Sequence, residues 1–214
     1  MKSSTSAWID GGIVASTFAM TAIAYPKLPA VIPTHWNTTG VADGFMPKII
    51  GAWLLPGVTA GMLAMFLALP LISPRGFEMT GFEGAFSAMR RSLLLLLTFI
   101  HGVALLIGLG RDIDMTTAAW GGTGLLLAII GNYSSKVRKN FFVGIRTPWT
   151  LANDEVWERT HRFGGRLFVV GGLLICIAGL AGQSDWLLPM VLLLALVPCA
   201  YSYLVYRKVT RRSS

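Results

Sequence analysis

Charge is what this chain has least of. Asp, Glu, Lys and Arg make up 13% of its 214 residues, where soluble proteins carry roughly 25%. Hydrophobic residues reach 54% and mean hydropathy is +0.62, which excludes a soluble globular domain and identifies a membrane protein. Acidic residues are the scarcest charged class, ten against eighteen Lys and Arg. No Asp or Glu lies in the middle of an apolar run, where a proton relay or ion site needs one; Asp10 falls at the edge of the first run. The two cysteines, Cys176 and Cys199, sit inside apolar runs, where a free thiol behaves as a small hydrophobe, so they form neither a disulfide framework nor a metal motif. Histidines number three, and His35, His101 and His161 fall in three different segments. Zinc ordinarily takes three or four ligands, and no nucleophile stands beside an evident base. The expectation is a non-enzymatic protein without catalytic residues, metal or cofactor.

What is present is a set of apolar runs near 7–24, 49–72, 92–109, 115–132, 166–182 and 186–206. Each approaches the roughly 17–25 residues that span the hydrocarbon as a helix. The predicted fold class is all-α: a polytopic bundle of six transmembrane helices in a single membrane domain, 1–214. The first run continues to Tyr25 and Pro26 with no basic n-region or A-x-A site before the polar link, so a cleaved signal peptide is not expected. Within the second run Gly57 and Gly61 form a GxxxG, continued by Ala60, Ala64 and Ala68. Such small residues permit close helix contact and are read as packing within one chain, with oligomerisation as the other use; Pro56 is expected to kink the helix. His101, the one ionisable residue well inside a run, reads as a hydrogen-bonded packing residue.

The net charge of +8 is unevenly distributed. Fifteen basic residues fall on one set of segments: Lys2; Arg75, Arg90 and Arg91; Lys136, Arg138, Lys139, Arg146, Arg159, Arg162 and Arg166; Arg207, Lys208, Arg211 and Arg212. The alternate links hold Lys27, Lys48 and Arg111. The positive-inside rule then places both termini in the cytoplasm, with the links after the second and fourth helices. The basic excess is topological and implies anionic lipid as partner, with no direct nucleic-acid binding.

Two links are long enough to hold structure, an extracytoplasmic loop at 25–48 and a cytoplasmic loop at 133–165. In the first, Pro29 and Pro33 favour extended backbone before them, and Asn37, Gly40, Asp43 and Gly44 are turn formers. His35, Asn37, Asp43 and Lys48 can converge as a polar cluster, while Trp36 and Phe45 suit the membrane interface. Two readings stand: an anchor whose polar groups satisfy their own turns, or a recognition surface for a peptide or lipid made of His35, Trp36, Asn37, Asp43 and Lys48.

The second link contains NFFVGIRTPWTL, residues 140–151, too polar to cross a bilayer and too rich in Gly, Pro and Trp for a simple connector. Thr150 or Asn153 can cap a short interfacial helix over 154–161, acidic at its start and basic at its end as the helix dipole favours. Trp157 and His161 would share one of its faces. Arg146, between Gly144 and Pro148, offers a planar fork for a carboxylate or phosphate. An ion pair to Asp154 or Glu155, or contact with lipid headgroups, would account for it. Alternatively Asn140, Arg146, Thr147, Trp149, Trp157 and His161 form a platform for a cytoplasmic partner or ligand, since Trp and Arg dominate interface energies.

The run Asn140, Gly144, Ile145, Arg146, Thr147, Pro148, Trp149, Thr150, Leu151, with Trp157, Thr160, His161 and Gly164 or Gly165, resembles the signature of the SdpI family of bacterial membrane proteins. Pro33, His35, Asn37, Gly40, Asp43, Gly44 and Lys48 are similar to a domain of unknown function common at the amino end of the same proteins; Met46 and Pro47 depart from its usual small or polar residues. The resemblance implies a six-helix immunity protein in the bacterial inner (cytoplasmic) membrane that protects against a secreted, membrane-active peptide toxin. It also implies capture of a soluble transcriptional repressor as a second partner. A transporter or binder of a small molecule or lipid is the alternative.

Overall fold

The computed structural model describes residues 2–74, 81–183 and 185–211, with side chains from residue 7. Of the basic residues that set the charge bias, Arg75, Arg212 and the Lys2 side chain lie outside it. The described chain forms α1 (Lys2–Ala24), a hairpin of β1 (Val31–Trp36) and β2 (Ala42–Pro47), then α2 (Lys48–Ala68), α3 (Glu83–Gly108), α4 (Met115–Ser134), α5 (Pro148–Ala152), α6 (Asp154–Leu180) and α7 (Leu187–Thr210). It is a multi-pass membrane protein, mostly helical, and the hairpin is a β element that the all-α expectation omitted.

Five helices, α1, α2, α3, α6 and α7, are long and apolar enough to cross a bilayer. The sixth long helix, α4, is diluted by Thr116, Thr117, Thr123, Asn132 and four glycines. Its buried residues, Met115, Ala118, Gly121, Gly124, Ala128, Gly131 and Ser134, recur every three or four positions and form one stripe. That stripe lies against α6 at very short range. A Cβ on Gly131 would stand 2.6 Å from the Gly165 carbonyl oxygen, and one on Gly172 would stand 2.6 Å from that of Gly124. Lipid supplies no hydrophobic drive between helices, so close backbone approach over small residues is what binds them. A helix sheathed by its neighbours needs less apolar surface of its own.

The GxxxG of α2 does something else. A Cβ on Gly57 or Gly61 would meet nothing within 4 Å, which corrects the expectation that these residues pack within the chain. The buried residues of α2 are Ala52, Pro56 and Thr59, and the helix continues through Pro56. GxxxG spacing marks a surface that permits close contact, and here the contact was made by other glycines.

Polar links join α1 to α3. Asp10, fully buried, accepts hydrogen bonds from Arg90 and from Arg91 Nε, the latter at 2.8 Å. Further along, Thr21 Oγ1 lies 2.7 Å from His101 Nε2 and donates to the Ala52 carbonyl at 3.1 Å. Both links join residues 80 apart in sequence, so α1 and α3 run parallel in one register, with the contacts separated by about three helical turns. The first link holds the starts of both helices at the same face of the bundle.

Adding one methyl at the α4–α6 seam as Gly131→Ala should lower stability by about 1–3 kcal/mol, the usual cost of overpacking, while Gly61→Ala should leave it unchanged. Unfolding in mixed micelles measures both. Asp10→Ala, which strips the carboxylate from buried Arg90 and half-buried Arg91, should cost about 3–5 kcal/mol by the same assay.

Candidate functional site

The hairpin and the 133–165 segment sit at opposite ends of the helices. In the hairpin, Val31 pairs with Pro47, Ile32 with Met46, Pro33 with Phe45, His35 with Gly44 and Trp36 with Ala42, and the register shifts on either side of His35. Asn37 shapes the tip: its Oδ1 accepts from the Thr39 amide at 3.0 Å, the Thr39 hydroxyl at 2.8 Å and the Val41 amide at 3.0 Å. Gly40 has φ +82°, and a Cβ there would press on Asp114 and Thr116 at 2.8 Å. The tip therefore rests on the start of α4. Asp114 caps that helix through the Thr116 and Thr117 amides. The Thr117 hydroxyl, 2.5 Å away, does most to hold the Asp114 carboxyl below its ordinary pKa.

Ile32 is buried with Ala24, Leu28, Ala52 and Leu105, and Trp36 packs on Val103, Met115 and Ala118. With its inner face anchored, the hairpin presents His35 and Asp43 outward, Nδ1 to Oδ1 2.5 Å, with side chains 72% and 45% exposed. Val41 and Phe45 are exposed beside them. The anticipated four-residue cluster is thus a pair. Asn37 is spent on the turn, and Lys48 reaches back to the Leu28 carbonyl at 3.1 Å, closing the hairpin base.

At the opposite end, Asn140 is fully buried. Its Nδ2 donates to the carbonyls of Arg138 and Val143, and its Oδ1 accepts from the amides of Phe142 and Val143, all between 2.7 and 3.1 Å. Two donors and two acceptor sites are all that an Asn side chain has, and all four are spent on holding this turn. Trp157 Nε1 donates to the Val137 carbonyl at 2.8 Å, and its ring stacks on His161 at 4.0 Å. The Ile145 amide donates to His161 Nε2 at 2.9 Å, which leaves Nδ1 as the donor to the Trp157 carbonyl at 2.8 Å. That pairing specifies the neutral ring with its proton on Nδ1.

The remaining residues of the motif have equally definite places. Gly144, at φ +114°, passes so close to His161 that a Cβ would collide with the ring. Thr147 and Thr150 form a capping box at the start of α5, with Pro148 in its first turn. The Thr147 hydroxyl also lies 2.9 Å from that of Ser202 on α7, and Trp149 packs against Tyr203 with ring centroids 5.0 Å apart. Asn140, Thr147, Trp157 and His161 are therefore buried supports. Arg146 is the exposed member, and Trp149 is half-buried.

Two expectations are corrected. Arg146 makes no ion pair with Asp154 or Glu155: these pair with Lys139 at 2.5 Å and Arg159 at 2.6 Å, and Arg146 donates to the Phe141 carbonyl. Nor do residues 154–161 form a separate interfacial helix. They are the first turns of α6, capped by Asn153, and the short helix is α5. Hydropathy sees only the lipid-facing part of a helix, whereas α3 and α6 extend their charged first turns beyond it. Among the described residues, no three His, Cys, Asp or Glu side chains gather as a metal site.

Residues 136–202 match the model of the SdpI/YfhL protein family, and residues 12–60 match one described as a domain of unknown function (DUF1648). The immunity protein SdpI of Bacillus subtilis (strain 168) is 30% identical over 200 residues, covering 92% of this chain and 94% of that protein. The chain belongs to the SdpI/YfhL protein family. The SdpI/YfhL match takes in the Asn140 turn and α5 and ends at Ser202, the residue that Thr147 meets on α7. Similarity to the uncharacterised domain runs from α1 through the hairpin into α2. No solved structure matches. Sequence reasoning missed Thr150 as a bridge to the Ile145 carbonyl five residues back; it also missed Ser202 and the Asp10–Arg90–Arg91 cluster, since no local pattern marks partners 55 to 81 residues apart.

His161→Phe keeps the stacked ring but removes the acceptor for the Ile145 amide. An unsatisfied buried donor costs about 1–3 kcal/mol, so hydrogen exchange at residues 143–147 should accelerate in His161→Phe while that of α3 stays unchanged.

Proposed function

We propose that this chain is an immunity protein of the bacterial cytoplasmic membrane that protects its cell against a secreted, membrane-active peptide toxin. The observation that carries this reading is the near full-length similarity to the immunity protein SdpI. In the proposed topology α4 is the sixth span, both termini and the 133–165 segment are cytoplasmic, and the 25–48 segment faces outward. The positive-inside rule supports this arrangement, since Arg90, Arg91, Lys136, Arg138 and Lys139 lie at one end of the bundle and the hairpin at the other. The protein acts as one membrane domain with two structured faces.

Outside, the exposed His35–Asp43 pair and neighbouring Phe45, on a hairpin anchored by Ile32 and Trp36, would meet the toxin. A rigid, partly apolar projection with a hydrogen-bonded polar centre suits an amphipathic peptide. Inside, Arg146 and Trp149 would meet a soluble repressor, held in place by Asn140, Thr147, Trp157 and His161. The tip at Gly40 rests on the start of α4, and α4 packs on α6, whose first turns shape the inner face. A toxin could alter that face only through differential affinity for two arrangements of this stack. No step here requires catalysis.

Expression of the chain in a toxin-sensitive bacterium should confer survival under secreted-peptide challenge. His35→Ala and Asp43→Ala should reduce survival without reducing the amount of protein in the membrane. Absence of protection against every peptide in a panel of secreted bacterial toxins overturns the reading. Retention of the repressor at the membrane, followed by fractionation, should fall in Arg146→Ala while survival is kept.

A further inference from the structure

The helices form two groups, α1–α3 joined by the Asp10 and Thr21 links and α4–α7 joined through glycines, which meet along the α3–α4 seam. Beside that seam, under the 137–146 turn, a cavity of about 540 Å³ opens between the groups. Its volume lies within the roughly 300–1,000 Å³ usual for ligand sites. Phe66 of α2, Phe86 and Met89 of α3, Phe142 of the turn and Phe168 of α6 supply apolar wall, and Cys199 of α7 lines its far side. Phe168 lies two turns along α6 from His161, so the apolar wall runs from the basic end of the bundle into the spans.

The polar groups are confined to one end. Arg90, also in the lining, is bonded to Asp10. Arg146 stands exposed at the turn and spends a guanidinium N–H on the Phe141 carbonyl. No carboxylate among the described residues pairs with Arg146, and an arginine has five donors. A guanidinium fork over a long apolar cleft asks for an amphiphile with an anionic oxygen head. Phosphate matches the fork bidentately, and basic pockets between spans at the cytoplasmic side are where anionic lipid headgroups bind. An acyl chain would fill apolar space that otherwise costs packing energy.

We propose that this cavity binds an anionic phospholipid, its phosphate against Arg146 and one acyl chain along Phe66, Phe86, Phe142 and Phe168. A zwitterionic lipid brings the same phosphate with an ammonium that Arg146 and Arg90 repel. Inorganic phosphate brings the charge without the chain. The bound lipid would tie α2 and α3 to the 137–146 turn. This site is separate from the hairpin proposed to meet the toxin; it shares Arg146 with the face proposed to meet a repressor, and lipid binding is read without any repressor present.

The test uses the full chain in detergent carrying Cys176→Ser, so that Cys199 is the single thiol and reports the cavity. Its alkylation rate is measured with added phosphatidylglycerol, phosphatidylcholine or inorganic phosphate. Phosphatidylglycerol should slow alkylation by about fivefold more than phosphatidylcholine, the preference one basic group gives an anionic headgroup. Arg146→Gln should abolish that preference. Ala195→Leu, which narrows the lined space away from the headgroup, should weaken protection by phosphatidylglycerol. Equal protection by the two lipids, protection by inorganic phosphate alone, a preference unchanged in Arg146→Gln, or undiminished phosphatidylglycerol protection in Ala195→Leu overturns the proposal.

Discussion

The backbones of α4 and α6 touch where Gly124 and Gly131 face Gly172 and Gly165, at a separation that leaves no room for a methyl group. In a bilayer this contact replaces the hydrophobic effect, because lipid tails solvate apolar side chains as well as a protein core does. Dispersion over a long, close seam then becomes the main attraction, and it falls away quickly with distance. The Asn140–His161 end of the bundle inherits its geometry from that seam. Once the glycines of α6 are set against α4, Trp157 and His161 in the preceding turns face the Asn140 turn, and Gly164 faces Ile145 and Pro198.

The other half of the bundle is held by a different device. Asp10 with Arg90 and Arg91, and Thr21 with His101, clamp two parallel helices at two heights. Polar bonds in a medium without competing water specify register, since a shift by even one residue leaves every partner unmatched. The cavity under the 137–146 turn lies where these two modes of packing meet.

The two ends of the molecule use their polar residues in opposite ways. Around Asn140 and His161 nearly every hydrogen-bonding group is consumed internally, while Arg138 and Arg146 stay exposed on the fixed turn. On the hairpin the interior work is done by Ile32, Trp36 and Asn37, and His35 and Asp43 are left to solvent. A motif residue can thus fix the shape of a turn from a fully buried position, as Asn140 and His161 do.

Membrane class and the positions of the apolar runs could be read from the sequence, because hydropathy is a local property that sums along the chain. So could the importance of residues 140–151, where Gly, Pro and Trp have no place in a plain connector. The continuity of α6 through Asp154–Leu180 was hidden, since its first turns carry charges that end a hydropathy window but not a helix. The glycines of α2 and those of α4 and α6 look alike in sequence, and only packing shows which are covered. Tertiary structure alone decided that Thr147 meets Ser202 and that Asp10 takes both arginines: each depends on which distant helix lies within 3 Å, and no local pattern encodes that distance.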